Sequence, residues 1–241
     1  DFEITPDVAI VDSDLVATLP KMLIAHTGMD ALTHAIEAYV STAHSNYTDA
    51  LALYSSKMVK DNIVASYGGD LTARANMHDA QCMAGMAFSV ASLGIVHSLA
   101  HKTGVAYTGG DIIHGAANAM YLPKVIAFNA KDAAALKRYG EMADNLGIGG
   151  ASDEEKVANL IAMCREFNDE LHIPHSINHY GADNMPADVG FAAEDEFLGK
   201  LSDVAANAIL DACTLTNPRQ PSQDEMEKVL KCCYYDTDID F

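Results

Sequence analysis

The sequence predicts an all-α protein, a helical bundle with one short strand at its N-terminal end, and three observations predict it. Apolar residues recur at spacings of three and four over seven separate stretches. Residues that start and stop helices flank several of these stretches. Only one run, Val8-Ala9-Ile10-Val11 just after Pro6, reads as a strand.

In chain order, the helical periodicity covers Met29 to Tyr39, Ala50 to Ala65, Ala73 to Ala91, Ala133 to Leu146, Val157 to Leu171, Phe197 to Ala212 and Met226 to Tyr234. Ser152 with Glu155, and Ser222 with Glu225, have the spacing at which a hydroxyl and a carboxylate satisfy each other's free amides at a helix start. Gly68-Gly69, Gly94 and Gly147 sit where helices should stop. Ala73 to Ala91 is rich in Ala, Met, Gly and Ser, which suits a helix closely surrounded by others. Pro174 to Gly190 lacks periodicity and reads as a long loop. A single strand cannot form a sheet, so the chain reads as the later part of a larger protein, with residues 1–20 as a linker carrying the strand and residues 21–241 as a helical domain.

The chain has 241 residues, 15 Lys+Arg against 34 Asp+Glu, and a net charge of −19. That balance argues against nucleic acid or an anionic membrane as partner, because both need clustered cations. Every apolar stretch is interrupted well before the ~20 residues a membrane span needs. Five cysteines, Cys82, Cys164, Cys213, Cys232 and Cys233, show no paired spacing and follow no signal-like apolar segment, which points to reduced thiols and a cytoplasmic address.

Three short stretches carry the chemistry. In Gly28-Met29-Asp30-Ala31-Leu32-Thr33-His34, Asp30 and His34 lie four apart and share a helix face, away from the apolar stripe of Met29, Leu32, Ile36 and Tyr39. His97 and His101 repeat the spacing on a second short helix, and His114 stands at the start of a third, before a close-packing Gly115-Ala116-Ala117. Taken singly, such pairs are more often surface ion pairs than ligands. In segments otherwise made of Ala, Leu, Ile, Val and Gly, however, a buried unpaired imidazole or carboxylate is costly, and a bound metal offsets the cost. Imidazoles with one carboxylate suit Fe(II), Zn(II), Co(II), Ni(II) or Mn(II), and this chemistry does not choose among them.

Gly28 to Tyr39 (GMDALTHAIEAY), Val96 to Gly104 (VHSLAHKTG) and His114 to Ala119 (HGAANA) closely resemble the three motifs of the iron-containing, group III alcohol dehydrogenases. The resemblance covers the whole chain, including Pro6 to Pro20, Ala73 to Phe88 and Thr216 to Leu230. It implies the family's helical C-terminal domain, of dehydroquinate synthase-like fold, with Asp30, His34, His97 and His114 as ligands of Fe(II) or sometimes Zn(II). It implies His101 as a non-ligand histidine that relays a proton. The implied reaction is reversible oxidation of a primary alcohol to an aldehyde with NAD(P), the dinucleotide being held by a preceding domain, so that this domain alone should be inactive. Homo-oligomerisation, in the simplest case a homodimer, is in keeping with the family.

Glu37, one turn beyond His34, is either a supporting partner of a ligand or an exposed carboxylate. The glycines of Gly147-x-Gly149-Gly150 read as a turn, not a phosphate cradle. Gly109-Gly110 lies in a span longer than the family pattern, which marks Tyr107 to Ile113 as a place where a substrate pocket varies. Two rival functions stand: an HD-type metal-dependent phosphohydrolase using His78-Asp79, and a non-catalytic helical interaction module. His26, His44, His172, His175 and His179 read as surface or loop residues, and Asp236, Asp238 and Asp240 as a solvated tail.

Overall fold

A computed structural model describes residues 7–108, 111–184 and 192–241. Ten α-helices are present in them: α1 (Lys21–Val40), α2 (Asn46–Gly68), α3 (Leu71–Ala91), α4 (Ile95–Thr103), α5 (His114–Asn129), α6 (Ala133–Asn145), α7 (Asp153–Glu170), α8 (Ile177–Asn184), α9 (Glu194–Ile209) and α10 (Gln223–Tyr235). Short 3₁₀ turns cover Ser13–Val16 and Ala212–Thr216. No single helix among the described residues is long and apolar enough to cross a membrane.

α1 is apolar on nearly every side and accordingly lies at the centre, with Met29, Leu32 and Ile36 fully buried. It packs against α2, α3 and α5, while α4 lies between α5 and α9, and α6 and α7 close the far side of α5. Its start at Lys21, directly after Pro20, precedes the periodic stretch, and Gly28 sits within it because a Cβ there would stand 2.9 Å from Ile63 Cδ1. α5 is the second central helix and contains Pro123, which has no N–H for the Ala119 carbonyl. Asn168 of α7 supplies the missing donor at 2.9 Å.

The capping residues act largely as read. Ser222 and Glu225 exchange both bonds, at 3.2 and 2.9 Å. Ser152 accepts from Glu155 N–H, whereas the Glu155 carboxylate accepts from Ala151. Gly69 and Gly147 end helices in the left-handed region, at φ of 103° and 70°. Gly94 does not end α3: Ser92 does that, at φ 61°, and Gly94 is instead the N-cap of α4.

Four expectations are corrected. Val8-Ala9-Ile10-Val11 forms no strand, and with Val8 74% and Ile10 86% exposed it has no neighbouring backbone among the described residues to take up its hydrogen bonds. The expected loop from Pro174 contains α8, and its residues 185–190 lie outside those described, as do Gly109, Gly110 and residues 1–6. Asp236 is no solvated tail residue: it caps α10 and binds both buried Lys124, at 2.8 Å, and Arg165, at 2.8 and 2.9 Å. His26 is buried on α1, 4% exposed.

The segment before α1 is fastened by Arg74, a buried cation of α3 that donates to Val16 O at 3.0 Å and to Ser66 O at 2.6 Å. At α5, Gly115 is an obligatory glycine, because a Cβ would stand 2.2 Å from His26 O of α1.

Two predictions follow from this packing. Asn168→Ala strands the Ala119 carbonyl and should cost about 1–3 kcal/mol in urea unfolding, and the cost should shrink when Pro123→Ala restores an N–H, a coupling that a double-mutant cycle measures. Burial lowers the His26 pKa from 6.5 to about 4. Between those values the unfolded chain binds a proton that the folded chain refuses, so His26 lowers stability as pH falls from 6.5 toward 4. His26→Leu should reduce the fall of the urea midpoint between neutral and acidic pH.

Candidate metal centre

The three predicted stretches meet in space. α1 presents Asp30 and His34 from one face, α4 presents His97 from its first turn, and α5 presents His114 as its first residue. One donor atom each of Asp30, His34 and His97 lie within 4.8 Å of one another. His114 Nε2 stands 3.5 Å from Asp30 Oδ1, His97 Nε2 3.6 Å from the same oxygen, and His34 Nδ1 3.8 Å from Asp30 Oδ2. The His34 ring is held between Phe88 and His97, at centroid separations of 4.4 and 4.5 Å.

The electrostatics follow from burial and from the shared carboxylate. Burial lowers the pKa of His34 to about 4, and lowers that of His114 as well. Burial opposes charge on His97 too, but hydrogen bonds to Asp30 and Glu37 outweigh it and raise its pKa to about 9. Asp30 is likewise disfavoured as an anion by burial, yet His97 and the neighbouring imidazoles hold it below the usual carboxylate range.

Glu37 is a supporting partner and not an exposed carboxylate. Only 3% exposed, it accepts from His97 Nδ1 at 2.5 Å and from the Val96 N–H at 2.8 Å. The first bond leaves His97 Nε2 facing Asp30, and the second satisfies a free amide at the start of α4. Gly94 makes room for it, since a Cβ there would stand 2.8 Å from Glu37 Oε1 and 2.6 Å from Asn217 Oδ1. Asn217 in turn accepts from the Ile95 N–H and exchanges bonds with Asn129 of α5.

Asn118, one turn beyond His114, is a site residue that sequence reasoning did not single out. Its Nδ2 donates to Asp30 Oδ1 at 2.6 Å and lies 3.2 and 3.1 Å from His97 Nε2 and His114 Nε2. The spacing of four from His114 was its only sequence signal.

His101 is placed beside the cluster, its ring stacked on His114 at 5.3 Å, and its side chain is 39% exposed. Its Nδ1 lies 3.2 Å from Asp211 Oδ2, which also receives Lys102 Nζ at 2.8 Å. Burial opposes charge on Asp211, but Lys102, the Cys213 N–H and His101 lower its pKa to about 2. A cleft of about 230 Å³ reaches Asp30 from the side of α3, lined by Thr27, Arg74, Met77, His78 and Gln81 among others. His78 belongs there and joins no group of three metal-competent side chains among the described residues.

Three of the remaining histidines find local partners. His44 pairs with Asp49 at 3.1 Å, His175 with Asp169 at 2.6 Å, and His179 with Ser176 at 2.7 Å, while His172 follows α7 at φ 56°.

Glu37→Ala removes an acceptor from two buried donors at once and should lower unfolding stability by about 2–4 kcal/mol in urea titration.

Comparison with known proteins shows the family of the chain. The family model described as the Fe-containing alcohol dehydrogenase family, C-terminal, matches residues 24–234. The NADPH-dependent butanol dehydrogenase of Clostridium saccharobutylicum is 50% identical over 241 residues, which is 100% of this chain and 58% of that protein. The bifunctional aldehyde-alcohol dehydrogenase AdhE of Escherichia coli K12 is 38% identical over 99% of this chain and 27% of its own length. The iron-containing alcohol dehydrogenase of Thermococcus thioreducens superposes with a TM-score of 0.84 at 34% identity, covering 96% of this chain and 56% of that one. The chain thus spans little more than half the length of the butanol dehydrogenase, and it belongs to the C-terminal domain of the iron-containing alcohol dehydrogenase family.

Proposed function

We propose that residues 21–241 are the metal-binding, substrate-side domain of an NAD(P)-linked alcohol dehydrogenase that interconverts a primary alcohol and its aldehyde, with residues 1–20 as the linker from a nucleotide-binding domain. The observation that carries the reading is the convergence of one carboxylate and three imidazoles from three helices, with the buried His34 Nδ1 making no hydrogen bond among the described residues. An unsatisfied buried nitrogen in that position is what a metal ligand needs to be. The donor set contains no thiolate, which suits Fe(II) or Zn(II) in an open catalytic site and not a closed structural zinc site.

In this reading Asp30, His34, His97 and His114 hold the ion. When bound, it supplies Lewis-acid polarisation of the substrate oxygen, which lowers the alcohol's pKa. Glu37 engages the His97 Nδ1, so that Nε2 is the nitrogen turned toward Asp30 and would give up its proton to ligate. His101, half-exposed and steered by Asp211, accepts the alcohol proton and passes it to solvent. Asn118 orients the Asp30 carboxylate through its amide.

Among the described residues the one glycine cluster that spacing offered for a dinucleotide is otherwise engaged. The glycines near Gly147 form a helix-ending turn, with Gly149 O engaged by Asn159. In this reading nicotinamide binding belongs to a nucleotide-binding domain, as the NADPH dependence of the 50% identical butanol dehydrogenase supports. The 50% identical butanol dehydrogenase supports a short primary alcohol as substrate. Five unpaired cysteines fit a cytoplasmic location.

Elemental analysis of anaerobically purified protein tests the reading. About one iron or zinc per chain is expected, retained in His78→Ala and lost when His97→Ala and His114→Ala are combined. Metal absent from the parent protein would overturn it, and loss in His78→Ala would favour the phosphohydrolase reading instead.

A further inference from the structure

A second group of metal-competent side chains stands next to the first. His101, Asp211 and Cys213 each offer a donor atom, and these atoms lie within 4.8 Å of one another. Two elements bring them together. His101 is in the last turn of α4, while Asp211 is the N-cap of the 3₁₀ turn Ala212–Thr216 that carries Cys213. Asp211 Oδ1 accepts from the Cys213 N–H at 3.1 Å, which fixes carboxylate and thiol relative to each other, and Oδ2 faces His101 Nδ1 at 3.2 Å.

The donors are one nitrogen, one oxygen and one sulfur, a set that suits borderline-soft ions. It differs in kind from the sulfur-free group around Asp30. Three protein donors leave a coordination position for water, and the 39% exposure of the His101 side chain gives an ion a route in.

We propose that His101, Asp211 and Cys213 form a second, accessory divalent-metal site that takes thiophilic ions such as Zn(II) or Co(II). Cys213 binds as the thiolate, its proton passing to solvent as the sulfur–metal bond forms. Lys102 is the built-in competitor, because its Nζ holds Asp211 Oδ2 at 2.8 Å. That side chain is 32% exposed, so an arriving ion displaces it into water and not into a cavity. Occupation would also claim a ring nitrogen of His101, a consequence that rests on the proton-relay reading above, whereas the binding itself does not.

Anaerobic titration of the chain with Co(II), followed in the near ultraviolet, tests the proposal. Only sulfur ligation gives a thiolate-to-cobalt charge-transfer band, so the group around Asp30 contributes none. The band should saturate by about two equivalents of Co(II), one for each group, and by about one in the combined His97→Ala, His114→Ala variant, and it should be competed away by Zn(II). It should vanish in Cys213→Ser and persist in Cys82→Ser, which alters the other cysteine that is not fully buried. Lys102→Ala should tighten binding by about two- to fivefold, the worth of a partly exposed ion pair. The combined His97→Ala, His114→Ala variant should keep the band while losing the sulfur-free equivalent, which separates failure of this site from failure of the first. No band at excess Co(II), or a band unchanged in Cys213→Ser, would overturn the proposal. Asp211→Asn, which keeps the shape of the turn, should weaken the band's titration, and an unchanged titration would equally count against the site.

Discussion

The Glu37 carboxylate organises the centre. One oxygen accepts from a free amide at the start of α4, and the other accepts from His97 Nδ1. The same group therefore fixes where α4 begins and which nitrogen of His97 faces Asp30. Because the carboxylate is buried, its hydrogen bonds are not exchanged for water, and the arrangement is held in one geometry. Around it, Gly94 provides the space, and Asn217, anchored to Asn129, holds the neighbouring amide of Ile95. The C-terminal stretch thus reaches the site without supplying any donor from Asn217 to the Asp30 cluster itself.

Burial and charge are balanced differently at each imidazole, and the difference follows from partners. His34 lies between two rings with a nitrogen that finds no hydrogen bond, so burial dominates and it stays neutral. His97 sits between two carboxylates and is pulled toward the charged form. His101 lies at the edge, where solvent and Asp211 share it. One cluster therefore contains an imidazole shut away from water and another open to it.

Much of this was legible in the sequence, and the failures have physical causes. The helices were readable because their apolar spacing is local, and Asp30, His34 and His97 because their spacing places donors on faces of otherwise small, apolar helices. Asn118 and Asp211 were not, because their partners are 88 and 110 residues away and no local pattern announces a hydrogen bond across that distance. The strand assigned to Val8-Ala9-Ile10-Val11 failed for the reverse reason: composition expresses a preference, but a strand exists only when another backbone pairs with it. His26 was misjudged because a lone polar residue on a helix gives no sign of which neighbour will lie over it, and here the Tyr180 ring of α8 stands 6.5 Å from its own. The acidic C-terminal residues looked like a tail until Lys124 and Arg165, brought up by α5 and α7, gave Asp236 its place.

The contact at Gly115 sets a limit on how this centre can diverge. His114 takes its position from main chain resting on main chain, where no side-chain volume intervenes between α5 and α1. Such a contact cannot be retuned by exchanging a larger residue for a smaller one, so it acts as a fixed datum. Side chains lining the surrounding cleft can drift in size and polarity while His114 and Asp30 keep their spacing, so the shape of the cleft can change without rebuilding the geometry at its centre.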